Sequence, residues 1–501
     1  MAAIEEQIQA FREYVRRMID YKSAIALLGW DARTQLPRKG VEARSQVIGT
    51  LSTEYFSMST STTMGDYLTA LLAHEHDLDP VLQRTVEVLK KDFDRMSKIP
   101  VDRYEKFIVL TNTAQTVWEE AKATNDFAMF EPYLASIVDF QKEFIGYWGY
   151  EGHPYNTLLD AFEPDMTVDI LDQLFAGLRQ DTVALLSDIE KAQPIDDTVL
   201  SRHFDVDRQR EFCQHVLRKI GYDLEAGRLD ESGHPFATGI APGDVRITTR
   251  FLADFLSTSI FGVIHESGHA MYEQAIGENL RSTPLHDGAS MGIHESQSRF
   301  WENIVGRSYA FWQYFYGDLQ KMFPEQLADI TLDQFHRAIN VAKPSLIRTE
   351  ADELTYNLHI MIRYEIEKGL IDGSMAVHDL PQIWRSKMKE YLGIEPPNDA
   401  EGVLQDIHWS TGDFGYFPSY SLGNIYSAQL AHAMQKELPD FDAMIARGEF
   451  APIATWLKQH IHQHGRLLTP KQLIEKATHE PSDAKYLVAY LNDKYRTVYD
   501  I

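Results

Sequence analysis

The chain has 501 residues, with 74 acidic and 48 basic side chains, a net charge of −26 at pH 7, and 44% hydrophobic and 11% aromatic residues. This is a globular balance: the aromatic share argues against a solvated coil, and the length allows a large core without cross-links. The acid excess argues against a surface built for nucleic-acid phosphates or an anionic membrane.

Cys213 is the single cysteine. It cannot form an intramolecular disulfide and reads as a small buried apolar residue. The start, Met1-Ala2-Ala3-Ile4-Glu5-Glu6-Gln7, has neither a basic region nor a continuous apolar run, so it does not read as a secretory leader. No uncharged apolar run approaches the ~20 residues of a membrane span. A cytoplasmic location is expected.

Apolar residues recur at three- and four-residue steps from Ile4 to Leu28, and the same period runs over Val81 to Met96, Phe107 to Ala123 and Phe130 to Trp148. That spacing predicts helices. Glycines and prolines fall mainly between such blocks, at Pro37, Gly152-His153-Pro154, Pro396-Pro397 and Pro470, where they mark turns. No flexible linker interrupts the pattern. One unit over residues 1–501 is expected, with a helical region to about 230 and a motif-bearing region from about 231.

One stretch departs from the helical period. His234-Pro235-Phe236-Ala237-Thr238-Gly239 and the alternating segment Val245 to Phe251 flank the turn residues Pro242-Gly243-Asp244, which reads as a hairpin. The expected fold class is therefore all-α, mainly helical, with one small β-sheet. An open edge of such a sheet can accept a peptide as an added strand.

The next segment, Ser257 to Gln274, has helical spacing with a stop at Gly277, and it contains His265-Glu266-Ser267-Gly268-His269. Positions i and i+4 lie one turn apart on one helix face, so both imidazoles can reach one metal ion, with Glu266 placed as general base. A catalytic metal of this kind takes a third protein ligand and keeps one position open. The pattern with Gly at 272 and His at 275 is excluded, because Tyr272 and Ala275 stand there. Glu295, in the segment Met291 to Glu302, leads as third ligand, with His286, Asp287, His294 and Glu302 as rivals. Further on, His460, His462 and His464 include an i, i+4 pair, but no glutamate follows His460, and a second metal site is not expected there. The stripe Tyr309 to Tyr316 reads as core packing.

Five ordered motifs carry a family resemblance: Asp244-Val245-Arg246-Ile247-Thr248 (DxRxT), His265 to His269 (HExxH), His294-Glu295-Ser296-Gln297 (HESQ), Ile347-Arg348-Thr349-Glu350-Ala351-Asp352 (IRxxAD) and Gly402 to Trp409 (GxxQDxHW). With these the chain resembles the carboxypeptidase Taq family, the thermostable metallocarboxypeptidases of bacteria and archaea. The resemblance implies a saddle-like, gluzincin-type helical protein with its site deep in a groove, usually a homodimer. It implies one zinc per chain, replaceable by cobalt, held by His265, His269 and Glu295, with Glu266 as base. The implied activity is removal of single C-terminal residues from peptides with broad preference, proline being resisted.

Such an enzyme must recognise a free carboxylate, for which arginine's planar fork is best suited. Arg348 is the first choice, on the family motif and its place before the helical stretch Ala351 to Lys368; Arg246 and Arg299 follow. The bland alternative for Arg348 is an ion pair with Glu350 or Asp352. Oxyanion donors are sought among His234, His408, Tyr416 and Tyr420, in segments that read as loops. Asp352 or Asp406 could orient a metal-binding imidazole. A helical oligoendopeptidase or dipeptidyl carboxypeptidase would share the ligand set and is the alternative activity.

Overall fold

The computed structural model describes residues 2–501; Met1, the first residue of the segment read as lacking a leader, lies outside the described residues. The chain opens with a long helix α1 (Ala2–Thr34), and α2 (Pro80–Ser97), α3 (Val101–Thr124) and α4 (Phe127–Trp148) follow where periodicity predicts them. Two of these helices have capped starts. Asp79 caps α2 ahead of Pro80 at the first helical position, and Asp126 caps α4, satisfying backbone N–H groups that the helix itself leaves unpaired.

Two hydrophobic clusters form. The smaller joins Ile8, Phe11, Val15 and Met18 of α1 to Leu82, Val86 and Leu89 of α2. The larger runs from Val88 to Tyr499 and takes in Cys213, which is buried, and the aromatic residues Phe311, Trp312 and Phe315. Among the described residues no helix is long and apolar enough to cross a membrane.

The predicted hairpin is present as β2 (Ala237–Ala241) and β3 (Asp244–Thr249), paired antiparallel with Ala237 opposite Ile247. A strand absent from the sequence reading, β1 (Leu229–Glu231), pairs parallel with β3, giving the order β1-β3-β2. Its sequence, Leu-Asp-Glu, is too short and polar to show alternation. Val245 and Ile247 of β3 are buried in the main core. On α1, Trp30 stacks under Arg246 at 4.3 Å, and Arg33 lies over Phe236 at 5.1 Å, which ties the N-terminal helix to the sheet.

The chain then builds α5 (Leu256–Gln274), α6 (Met291–Arg299), α7 (Tyr356–Asp372) and α8 (Pro418–Glu437). Past Arg299 the chain continues as a π-helix over Phe300–Gly306. The helix predicted from Ala351 begins only at Tyr356. Asp352 accepts hydrogen bonds from the backbone N–H groups of Leu354 and Thr355 and from the Thr355 hydroxyl, and this turn delays the start of the helix.

Candidate active site

The site stands where α5, α6 and α8 pack together. Gly268 lets the backbones of α5 and α6 approach so closely that a Cβ there would lie 2.5 Å from the Gln297 carbonyl oxygen and 2.7 Å from Ser298 Cα. This contact sets the HExxH helix directly against the helix that carries Glu295. One carboxylate oxygen of Glu295 lies 3.8 Å from His265 Nε2 and 3.4 Å from His269 Nε2. Ligand atoms of the three residues all fall within 4.8 Å of one another.

Electrostatics favour a cation at this point. Burial opposes ionisation of Glu295, yet Arg299 and His265 hold its carboxyl well below the usual range. Arg299 Nε donates to Glu295 Oε1 at 2.6 Å, and Ser298 Oγ donates to Oε2 at 3.2 Å. Burial lowers the affinity of His265 for a proton, but Glu295 and Glu302 outweigh it and raise its pKa. His269 is pushed down to about 3, chiefly by burial, so its imidazole is neutral across the working range. Glu266 is 7% exposed, and burial pushes its carboxyl up to about 7, helped by Glu295 and Glu302. Two imidazoles and a carboxylate, with the two carboxylates Glu295 and Glu302 drawing in positive charge, fit a divalent transition-metal ion.

The rivals for third ligand take other places. His294 Nδ1 faces His269 Nδ1 at 2.6 Å, on the far side of that ring from Glu295, and Glu302 Oε2 faces His265 Nδ1 at 2.9 Å. Arg299 and Arg307 brace Glu302 at 3.3 and 3.1 Å. His286 is half-buried, and Asp287 pairs with Lys22 of α1 at 3.1 Å. Neither aspartate expected to orient an imidazole does so. Asp352 closes the turn before α7, and Asp406 sits between Arg348 and Arg363. Glu302 and His294 hold those positions instead.

Arg348 is 6% exposed on a short 3-10 turn. Its Nε and Nη2 donate to Asp406 Oδ1 at 2.9 and 2.7 Å, and its Nη1 donates to the Tyr356 hydroxyl at 3.0 Å. Its ion-pair partner is thus Asp406, not Glu350 or Asp352. Arg363, fully buried and absent from the sequence reading, neutralises the other oxygen of Asp406 at 2.5 Å. Arg246 is engaged by its own neighbour Asp244 at 2.7 Å and by Trp30. His234 is exposed in the β1–β2 connection.

His408 and Tyr420, read as loop residues, are helical. His408 opens the short helix His408–Thr411, and Tyr420 lies in the first turn of α8; Tyr416 stays in the loop between them. Proline and glycine punctuate both helix ends, which disguised these short turns. His408 Nε2 lies 3.4 Å from the Tyr420 hydroxyl, and with Phe162, Thr411, Asp413 and Tyr416 the two line a pocket of about 320 Å³. Burial pushes His408 down to about 4 and Tyr420 well above its usual range. Arg348 lies 5.0 Å from the Tyr420 ring. The histidines near the C-terminus form no metal cluster: His462 is buried at 2.8 Å from Gln297, and His460 stacks on Trp456.

A helical protein that gathers the two histidines of an HExxH helix and a glutamate of the next helix around one point, beside a buried Glu266, has the architecture of a metallopeptidase. The chain belongs to the carboxypeptidase Taq (M32) metallopeptidase family, whose model matches residues 10–495. It is 48% identical over 490 residues to Carboxypeptidase 1 of Bacillus subtilis (strain 168), covering 98% of each chain. Identity to Thermostable carboxypeptidase 1 of Thermus thermophilus is 40% over 507 residues, covering 99% of each. The crystal structure of the M32 carboxypeptidase from Deinococcus radiodurans R1 matches with a TM-score of 0.96 at 37% identity, over 99% of this chain and 100% of that one. The protein is a metallocarboxypeptidase.

Proposed function

We propose that the whole chain works as one zinc carboxypeptidase unit, with His265, His269 and Glu295 as metal ligands and Glu266 as general base. The observation that carries this reading is the meeting of both imidazole Nε2 atoms at one Glu295 oxygen, 3.8 and 3.4 Å away. A zinc ion bound there, for which cobalt can substitute, supplies Lewis acidity toward the scissile carbonyl and acidifies water near neutral pH. Glu266, buried and with its carboxyl pushed up to about 7, takes a proton from the attacking water and returns it to the leaving amine. Arg348 retains N–H groups beyond those given to Asp406 and Tyr356, and it anchors the free C-terminal carboxylate, with Arg246 in reserve. Tyr420 keeps its proton near neutrality and can donate to the developing oxyanion; His408 and, from the β1–β2 connection, His234 are the further polar contacts to the peptide.

Release of single residues with broad preference, and resistance of proline, rest on the family resemblance, as does a homodimeric state. The net charge of −26 supports peptide substrates over nucleic acid or membrane surfaces, and a cytoplasmic site of action fits the absence of any disulfide requirement.

The test is one acyl-blocked peptide presented as free acid and as C-terminal amide, digested with the parent protein and with Glu266→Gln, both checked for metal. Single residues should leave the acid only, and Glu266→Gln should retain metal while losing roughly 10²–10⁴-fold in rate. Internal cleavage of both peptides would instead make the protein an endopeptidase and remove Arg348 from the site.

A further inference from the structure

We propose that Glu273 and His294 are positioning residues that hold His269 in the one tautomer able to bind the metal. The inference rests on the metal site proposed above. Two successive contacts carry it: His269 Nδ1 lies 2.6 Å from His294 Nδ1, and His294 Nε2 lies 3.1 Å from Glu273 Oε1.

The proton positions follow from what each group can do. A carboxylate only accepts, so His294 carries its hydrogen on Nε2. With its Nε2 lone pair given to a metal, His269 carries its hydrogen on Nδ1 and can only donate, so His294 Nδ1 is the acceptor and the His294 ring holds its single hydrogen on Nε2, facing Glu273. His269 Nε2 is the atom facing Glu295. Without Glu273 the His294 ring stays packed but loses the acceptor that keeps its hydrogen on Nε2. His269 can then carry its hydrogen on Nε2 and point it toward Glu295, and a metal must reverse that arrangement before it binds.

The other histidine is held more simply, since Glu302 reaches His265 Nδ1 directly at 2.9 Å. Glu273 is one helical turn beyond His269 on α5 and acts through a ring on α6. The sheet makes room for it. A Cβ on Gly239 of β2 would lie 1.6 Å from Glu273 Oε2, so this position of the carboxylate depends on glycine there. His294 itself is wedged against Tyr272, with ring centroids 5.3 Å apart.

The experiment measures Co²⁺ affinity by chelator competition, together with the visible Co²⁺ spectrum, on the full chain. The proteins are the parent, Glu273→Ala, Glu273→Gln, Gly239→Ala and His269→Ala, with metal-free melting curves for each. Glu273→Ala should bind Co²⁺ about 10–100-fold more weakly, the usual cost of losing such a partner, and its spectrum should shift. Glu273→Gln keeps an oxygen that accepts from His294, so it should stay within about three-fold of the parent. Gly239→Ala expels the carboxylate without touching the ligands, and should follow Glu273→Ala in affinity while melting like the parent. If Glu273→Ala does not fold, the comparison of Gly239→Ala with the parent decides. Parent-like affinity in Glu273→Ala and Gly239→Ala, or equal losses in Glu273→Ala and Glu273→Gln, would overturn the inference. If His269→Ala binds Co²⁺ as the parent does, the metal site itself is wrong and the inference falls with it.

Discussion

Gly268→Ala places a methyl group between the two helices that bring His265, His269 and Glu295, the proposed metal ligands, together. The new Cβ would sit 2.5 Å from the Gln297 carbonyl oxygen, 2.9 Å from its carbon and 2.7 Å from Ser298 Cα. All three atoms are backbone, so no side chain can swing aside. Ordinary contact begins near 3.4 Å, so α5 and α6 must part by roughly 0.7–0.9 Å. Helix propensity alone would make the alanine protein about 1 kcal/mol more stable. Overpacking costs about 1–3 kcal/mol, so the net expectation is a loss of up to about 2 kcal/mol. The moving backbone lies just past Glu295, so its carboxylate shifts relative to His265 and His269. A displacement near 1 Å at a reacting centre can cost about 10²-fold in rate. Urea midpoints of the metal-free proteins, metal affinity by chelator competition and kcat/KM on a blocked peptide are the measurements. An alanine protein that is more stable and cleaves as the parent does would refute this account of the helix contact.

Burial pushes the Glu163 carboxyl up to about 7 against the donors Ser290, Tyr426 and Gly292. Between its unfolded value near 4.5 and about 7 the folded chain therefore holds the extra proton, and stability falls as pH rises through that window. Glu163→Gln should lose this slope, a difference on the order of 3 kcal/mol between the two limits. Urea midpoints at pH 5 and pH 8 check it, and identical pH dependence in both proteins would acquit Glu163. Arg348→Ala should lower kcat/KM on free-acid peptides about 100-fold, the loss of a bidentate carboxylate contact. Its fold should survive, because Arg363 still neutralises Asp406 at 2.5 Å. Unchanged kcat/KM would leave Arg348 only its ion pair.

Local geometry made part of the site legible in one dimension. His265 and His269 share a face because four residues make about one helical turn, whatever surrounds the helix. The β2–β3 hairpin was readable for the same reason, from alternation and turn residues within one short segment. The family motifs added a choice of third ligand that spacing left open among Glu295 and four rivals.

Contacts between segments distant in sequence were not legible. Glu302 and His294 both lie near Glu295 in sequence, and only the packing of α5 against α6 and the π-helix that follows it puts them behind the two imidazoles rather than at the point where His265, His269 and Glu295 meet. Arg348 reads from sequence as a carboxylate anchor, with an ion pair to its nearest acids, Glu350 or Asp352, as the bland alternative; the acid it meets is Asp406, which reaches it from another segment. Asp352 is drawn instead into a backbone turn beside it. An i, i+4 relation is fixed by the helix itself, whereas a buried charge takes whichever partner packing brings within reach, and that partner exists only once the chain has folded.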